Sequence, residues 1–305
     1  MKDQKGNGPM NQRQNHRLLE LAVVVFLALY LSACSRGGED PGVEFMPYQD
    51  DYQSKPDFAR LEYKHPLSVA QLEKITPAYL ADLPQEQVDQ IYARLTAGPI
   101  PDGAFEGELF FLRGSSGKLR AREIVGGGIK GLVVKYKARK LDQLGEVLWQ
   151  GKVFYRDSGV LRNRIEDTKL LAPLIDGDLS SLRKIKYDGE DAWLLFPAKV
   201  FCGQSLLDSR RESIIIDYAF SDEIDGYREL PDFLAGRRGF RVRDEIRMIR
   251  PGFYLGRAYL GHTFILNFTL YNETMDKQGA DSFRATDQVQ EDCFTGTRYF
   301  AAASP

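Results

Sequence analysis

One carboxylate in this sequence, Asp244, falls on the apolar face of a strand-like segment. In residues 241–249 the apolar face carries Val242, Ile246 and Met248, and Asp244 has the same parity. Because side chains along a strand alternate with a period of two, Asp244 cannot turn outwards without its apolar neighbours. An ionised carboxylate in apolar surroundings costs several kcal/mol unless a cation or hydrogen-bond donors meet it. We therefore expect Asp244 to have a buried partner.

The partner we expect for Asp244 is Arg257, which shares parity with Phe253, Leu255 and Tyr259 on the following segment. Such a pair has two interpretations. It is either a polar anchor at the base of a ligand cavity or a structural ion pair between strands. The second interpretation is the commoner case and is favoured here.

Other polar residues are weaker candidates for a ligand-binding or catalytic role. His262 begins an apolar face, where it could donate a proton or contact a ligand, although a satisfied histidine at a strand end is more common. Asp217 and Tyr218 lie in a segment that is apolar on both parities, so their orientation cannot be read. An enzyme in this region would have to bring Asp244 together with Tyr254 or His262.

No catalytic or cofactor-binding motif is recognisable, and we expect no cofactor. The glycines at residues 126–128 lack the following Lys-Ser/Thr and the helix of a phosphate-binding loop, so they indicate a flexible hairpin. With three histidines and no Cys/His cluster, we expect no metal site. The basic residues within 237–250 predict a solvated outer face balanced by Glu245 and Asp222, with contact to lipid phosphates as the alternative.

The amino terminus has the pattern of a bacterial export signal. Residues 1–17 carry four basic residues and one acidic residue, and an apolar run follows from Leu21 to Tyr30. That run is shorter than the roughly 20 residues that a transmembrane helix needs. It ends in Leu-Ser-Ala-Cys at residues 31–34, which resembles the lipobox of bacterial lipoprotein signals. The resemblance implies removal of residues 1–33 and lipid modification of Cys34.

The lipoprotein resemblance also implies a location and limits the partners. The residue after Cys34 is Ser35 rather than aspartate, which by this resemblance favours the periplasmic face of the outer membrane if the cell is Gram-negative. The lipid would make the membrane a partner of the protein. The mature chain keeps 37 Lys and Arg against 41 Asp and Glu, a net charge of about −4. This argues against nucleic acid as a partner, because binding the phosphate backbone needs a net basic face.

Two cysteines, Cys202 and Cys293, remain after Cys34 is assigned to the lipid. In an oxidising compartment they could form one disulfide, closing a loop of roughly 90 residues. Two separate buried thiols are the alternative, and the sequence leaves both open.

The segment before the strands combines a tether with short helices. Residues 34–63 show no sustained period and indicate a lipidated terminus followed by a flexible tether. A capping box beginning at Ser68 predicts a short helix over 69–75, and Pro84 begins a second one. Each helix has one apolar stripe, so residues 64–104 should pack against a larger body.

From residue 105 onwards the pattern changes to short segments of period two. The predicted strands are 105–112, 131–137, 147–155, 160–165, 182–187, 193–201, 212–220, 240–249, 253–260 and 262–271. Because few helices separate them, they predict a mainly β fold with an antiparallel β-barrel or curled sheet at 105–275. Residues 276–305 are predicted to form a polar tail or lid.

Several of these segments resemble a group of uncharacterised bacterial lipoproteins. The matching pieces, such as Arg-Asp-Glu-Ile-Arg and Pro-Gly-Phe-Tyr-Leu-Gly, are found at 98–103, 151–154, 163–165, 198–201, 215–218, 243–247 and 251–256. The resemblance covers about residues 90–270 and implies a lipocalin-like (calycin-type) β-barrel without a catalytic assignment. It is interrupted after Tyr218 by the long insert 223–239.

Three classes of function remain. We favour a binding module that holds a small apolar or amphipathic ligand, because a barrel of more than about eight strands can leave room for one and the inward faces are aromatic-rich. The alternatives are an enzyme acting near Asp244, Tyr254 or His262, and a structural envelope protein that works by protein contact.

Overall fold

The structure is a computed structural model that describes residues 39–48, 56–110, 149–165, 179–187, 189–287 and 289–296. The chain divides into two compact units, residues 1–40 and 41–305, and every element below lies in the second unit. Cys34, the predicted hairpin at 126–128 and the predicted strand 131–137 lie outside the described residues. In the part of the chain that is described, no helix combines the length and apolar character needed to span a membrane.

The described strands form one antiparallel sheet that closes into a barrel. They are β1 (Gly103–Phe110), β2 (Trp149–Tyr155), β3 (Val160–Ile165), β4 (Lys184–Tyr187), β5 (Glu190–Gln204), β6 (Glu212–Asp217), β7 (Val242–Arg250), β8 (Phe253–Leu260) and β9 (Thr263–Tyr271). Neighbours pair in the order β3-β2-β1-β9-β8-β7-β6-β5-β4, and β3 also pairs with β5. The closed ring therefore has eight strands, and β4 extends from β5 outside it.

This architecture confirms the predicted mainly β barrel and is consistent with a lipocalin-like barrel. Closure depends on β1, which pairs with β2 through Gly103 and with β9 through Glu106. The main core lies in the interior and includes inward-facing apolar residues such as Phe105, Phe154 and Ile246. Strand alternation carries their outward-facing neighbours to the opposite surface.

Four short helices, where two were predicted, form a layer on the outer wall of the barrel. They are α1 (Phe58–Lys64), α2 (Val69–Lys74), α3 (Pro77–Asp82) and α4 (Gln85–Arg94). The predicted capping box at Ser68 is present: its hydroxyl accepts from the Gln71 backbone, and the Gln71 side chain accepts from the Ser68 backbone. Ile91 of α4 is fully buried in a second apolar core together with Phe253 of β8. Helix α4 thus buries the apolar stripe that it could not bury alone, whereas α2 has no fully buried residue and packs only the partly buried Leu72 against this core.

The prediction of a flexible tether over 34–63 is wrong for its described part. Pro41 is buried, and Val43 packs against the second apolar core. Met46 exchanges two hydrogen bonds of 2.9 Å with the Gln90 side chain, and α1 follows. The segment has no sequence period because its contacts come from separate side chains rather than from one element.

The prediction of a solvated arginine face on β7 is also wrong in part. Arg237 does pair with Asp222 at the surface. Glu245 and Arg247, however, have no exposed surface, because the helical layer covers this face. Arg247 donates to Ser213 and to the backbone carbonyls of Tyr92, Asp208 and Arg211.

The carboxyl-terminal region is not a simple polar tail. After a four-residue helix α5 (Glu229–Asp232) in the insert, α6 (Glu273–Thr286) follows β9 directly, capped by the Asn272 side chain, which accepts from Met275 N. A disulfide then joins Cys293 to Cys202 of β5. Residues 289–296 are thus covalently held against the barrel.

Candidate functional site

A cluster of four polar side chains lies inside the barrel. Lys152 of β2, Asn163 of β3 and Asp244 of β7 point inward, and Tyr218 follows β6. Strand pairing explains the convergence, because Lys152 is opposite Asn163 and Asp244 is opposite Ile216. All four are at least nine-tenths buried.

Lys152 is the centre of this cluster. Its Nζ donates to Asn163 Oδ1 at 2.9 Å, to Tyr218 Oη at 2.7 Å and to Asp244 Oδ2 at 2.9 Å. An ammonium group has three hydrogens, so each one has an acceptor. The lysine therefore has no hydrogen left to offer a ligand in this arrangement.

The other members are held by further hydrogen bonds. Asn163 Nδ2 donates to the Phe196 carbonyl and to Tyr218 Oη, both at 3.0 Å. Trp149 Nε1 donates to Asn163 Oδ1 at 2.9 Å. Tyr218 Oη in turn is 3.3 Å from Asp244 Oδ2, to which it can donate. The network fixes the positions of all four groups.

Aromatic rings surround the lysine ammonium. The centroids of Trp149, Tyr218 and Phe268 each lie 5.4 Å from Lys152 Nζ, within the range of a cation–π interaction. Phe268 fits there because Gly256 lies beneath it: a Cβ at this glycine would be 2.3 Å from the ring.

The electrostatics keep the lysine charged and the tyrosine neutral. Burial lowers the pKa of Lys152, but the Asp244 carboxylate and Tyr218 together raise it by more, so the net pKa lies above the ordinary value. Burial also raises the pKa of Tyr218 to about 12, even though the Lys152 charge acts in the opposite direction. At neutral pH the phenol can therefore donate a hydrogen bond to Asp244.

One atom of the cluster remains available. Both contacts of the Asp244 side chain go to Oδ2, and among the described residues no group donates a hydrogen bond to Oδ1. The side chain also keeps 6% of its surface accessible. The cluster thus has a spare acceptor rather than a spare donor.

The cluster lies towards one end of the barrel, where β7 and β9 begin and β1 and β8 end. We call this the cluster end. Six inward apolar residues there are only half-buried and pack against the main core: Leu109, Trp149, Phe196, Val242, Ala258 and Leu266. At the opposite end, Ala97 and Cys293 are part of the buried core. The barrel is therefore filled at one end and bordered by partly accessible apolar side chains at the other.

The partner predicted for Asp244 is wrong. Arg257 pairs with Asp89 of α4 and donates to Tyr259 at 2.9 Å, all on the outer wall. The strand register is the reason: Asp244 is opposite Ala258, so Arg257 points to the other face of the sheet. Burial would lower the pKa of Arg257, but Asp89 and Tyr259 raise it by more, so this pair is a structural link between helix and barrel.

The remaining predicted residues do not converge on the cluster. Tyr254 is four residues along β8 from Ala258, roughly 13 Å away, and donates to the Pro99 carbonyl at 2.8 Å. His262 is exposed in the turn between β8 and β9. Asp217 accepts from Ala219 N at 2.8 Å. Only Tyr218 and Asp244 of the predicted set lie together.

Sequence reasoning missed Lys152, Asn163 and Trp149. The signal that identified Asp244 was present for two of them: Lys152 shares parity with buried Phe154, and Asn163 shares parity with Leu161. A polar residue on an apolar parity occurs on three strands, and closure of the barrel brings the three together.

Comparison with known proteins adds no assignment. No protein-family model matches the chain, and no curated protein matches it. Among solved structures, a protein from Thermomonospora curvata is similar over 64% of this chain and 92% of its own, with 16% sequence identity and a TM-score of 0.32. At this identity and TM-score, the likeness supports no inference about function.

Proposed function

We propose that this protein is a lipid-anchored envelope protein whose barrel binds a small amphipathic ligand at the cluster end. The observation that carries the proposal is the prearranged Lys152–Asp244 cluster in an otherwise apolar, aromatic-rich interior. Ligand sites commonly combine apolar walls with a few fixed polar groups. The half-buried apolar residues at this end would contact the apolar part of the ligand.

A purely structural ion pair is the competing explanation. Such a pair would need all of its valences satisfied, because buried charges are costly when incompletely paired. Lys152 meets that condition, whereas Asp244 Oδ1 has no donor among the described residues and the Asp244 side chain keeps 6% of its surface accessible. This asymmetry favours a binding role for the carboxylate, with the lysine holding it in place.

The unused hydrogen-bond acceptor, Asp244 Oδ1, also limits which head group the ligand can have. Since the three Lys152 hydrogens are engaged, a ligand carboxylate would meet Asp244 Oδ1 without a donor and would be repelled. A hydroxyl or ammonium head group could instead donate to Oδ1. We therefore propose an alcohol- or amine-headed amphiphile.

An enzymatic role near Asp244 has less support. Tyr254 and His262 lie at other positions, so the acid and base that catalysis would require do not share one point. The cluster itself has its protons held in a closed network, which suits positioning better than proton transfer.

The anchoring part of the proposal depends on residues 31–34, which lie outside the described residues. Two features support it: the basic and apolar signal pattern, and the disulfide, which suits an oxidising compartment. The proposed place is the bacterial envelope, at the periplasmic face of the outer membrane in a Gram-negative cell.

The binding proposal can be tested by the fluorescence of Trp149, which touches the cluster. In a Cys34→Ser, Trp193→Phe chain, we expect dodecanol and dodecylamine to shift the Trp149 emission and dodecanoate to leave it unchanged. Ala258→Phe should abolish the shift, because Ala258 is opposite Asp244 and half-buried. Ala285→Phe, on an exposed position of α6, is the matched control and should bind normally.

Asp244→Asn provides the head-group test. It should weaken dodecylamine binding by about tenfold or more, the usual worth of a charge-assisted hydrogen bond. A dodecanoate response equal to that of dodecylamine would contradict the proposed head group. Absence of any response to the three amphiphiles would contradict a ligand at the cluster end.

A further inference from the structure

A second possible ligand site lies outside the barrel. It is a cleft of about 660 Å³ between the helical layer and the carboxyl-terminal segment, which we call the Arg94 cleft. Its apolar lining includes Leu72 of α2, Ile249 of β7, Phe283 of α6 and Val289. This volume is within the range of small-molecule sites.

Arg94, at the end of α4, is a buried cation in the lining of this cleft. The residue is 7% exposed. Its Nε donates to the Gln90 carbonyl at 3.1 Å and its Nη1 to the His65 carbonyl at 2.7 Å. Its Nη2 is buried and has no acceptor, and Arg94 forms no ion pair with any described residue. A buried, unpaired N–H of a charged group is costly, so it marks a position where an acceptor is missing.

A neighbouring arginine in the same cleft differs from Arg94 in having a carboxylate partner. Arg211 is 1% exposed, and it forms an ion pair with Glu62 and donates to the Leu95 carbonyl at 3.1 Å. Arg94 lacks such a carboxylate. Burial lowers the pKa of Arg94 to about 10, because Tyr79 and nearby glutamates offset only part of the lost hydration, and burial lowers the pKa of Arg211 as well.

The acidic groups of the cleft do not fill this role. Glu62 is engaged by Arg210 and Arg211, and Glu291 accepts from Gly98 N at 2.9 Å. Asp287 is exposed at the end of α6. The positive charge therefore lies on the side of the helical layer, and the carboxylates of Glu291 and Asp287 lie on the side of the carboxyl-terminal segment.

We propose that the Arg94 cleft binds an apolar chain with an anionic oxygen head group, a carboxylate or a phosphate, which accepts from Arg94. The apolar lining holds the chain, and the exposed ring of Phe294 extends the apolar surface at the rim. The head-group preference is the reverse of that proposed for the barrel, because here the spare valence is a donor.

Calorimetric titration of the Cys34→Ser, Ala258→Phe chain, whose barrel is filled at the cluster end, separates the two sites. We expect dodecanoate or dodecyl phosphate to bind at one site, and dodecanol to bind at least about tenfold more weakly. Comparison of the two anions identifies the preferred head group. Equal affinity for dodecanol and both anions would overturn the proposal.

Two variants locate the binding. Arg94→Gln should reduce the affinity for the anion to that for dodecanol. Val289→Trp should abolish binding by filling the cleft, and it spares the Arg94 hydrogen bonds if Arg94→Gln fails to fold. Ala285→Trp is the control and should bind as the parent does. Unchanged anion binding in Val289→Trp would overturn the proposed location.

The chain's own final residues are the alternative occupant, since they follow the lining residue Thr295. Deletion of residues 297–305 tests this. We expect the anion to bind the full and shortened chains equally. Binding only after deletion would overturn the proposal in favour of the chain's own carboxyl terminus.

Discussion

At the scale of single residues, Asp244 shows that the burial of a side chain can be predicted from sequence when its ion-pair partner cannot. Asp244 could be recognised from its parity alone, but its partner could not, because Lys152 lies 92 positions away in sequence. Strand register decides which cation faces Asp244, and a shift of one position exchanges Ala258 for Arg257. The alternation of one segment contains no information about the register with its neighbour.

Removing Lys152 should therefore be severe. We expect Lys152→Met to lower the free energy of unfolding by about 3–5 kcal/mol, because it leaves Asp244 buried without its cation. Adding Asp244→Leu should recover part of that loss, since the two residues interact directly. Urea denaturation measures both. Lys277→Met is the matched control: its ion pair with Glu273 is exposed and should contribute less than about 0.5 kcal/mol.

The pKa of Lys152 also predicts how its contribution to the free energy of unfolding depends on pH. Since the folded pKa of Lys152 is raised above 10.5, its stabilisation is complete below that pH and is lost only as pH rises through the folded pKa. The effect of Lys152→Met should thus be equal at pH 6 and pH 9. A loss that disappears at pH 9 would contradict a charged Lys152.

At the scale of elements, the local alternation of apolar and polar residues predicts the bounds of a strand well where one face of that strand is buried. The predicted strands 160–165 and 253–260 match β3 and β8 to the residue. Helix α6 was missed because its apolar positions are few, with Phe283 its one buried residue, and its cap at Asn272 was the available signal. The pattern of residues 41–48 indicates a tether because their order comes from tertiary contacts, which leave no period in the sequence.

The disulfide links two elements, because it fixes the carboxyl-terminal segment to β5. In the chain-entropy relation, a bridge between residues 91 positions apart stabilises by roughly 4–5 kcal/mol. We expect Cys202→Ser with Cys293→Ser, in a Cys34→Ser background, to lower the urea midpoint accordingly. Dithiothreitol should lower the midpoint of the parent and leave the variant unchanged. An equal response in both chains would contradict the bridge.

At the scale of the whole molecule, barrel closure accounts for most of what the sequence could not provide. The class of fold followed from the count and period of the strands, and the lipocalin-like barrel followed from the resemblance. Closure then brings inward polar residues from β2, β3 and β7 to one point, and packing of the helical layer hides the outer face of β7. Both effects depend on long-range pairing, which single-segment patterns do not encode.

The proposed lipid anchor concerns the whole molecule, because it would attach the barrel to a membrane. We expect Cys34→Ser to move the protein from the membrane fraction to the soluble periplasmic fraction, because the acyl chains would be its membrane attachment. Cys202→Ser, which changes a cysteine that follows no lipobox, is the control and should remain with membranes. Equal membrane retention of the Cys34→Ser chain would contradict the lipoprotein assignment.

The seam between β1 and β9 has a consequence for the timing of folding. Glu106 of β1 pairs with Tyr271 of β9, and Cys202 is bonded to Cys293. Barrel closure and disulfide formation therefore both need the last part of the chain. Contacts so distant in sequence form late and slowly. A chain that crosses a membrane amino terminus first would therefore arrive as an open, unclosed sheet. Its aromatic interior would be exposed until translocation ends, so aggregation would compete with barrel closure during that interval.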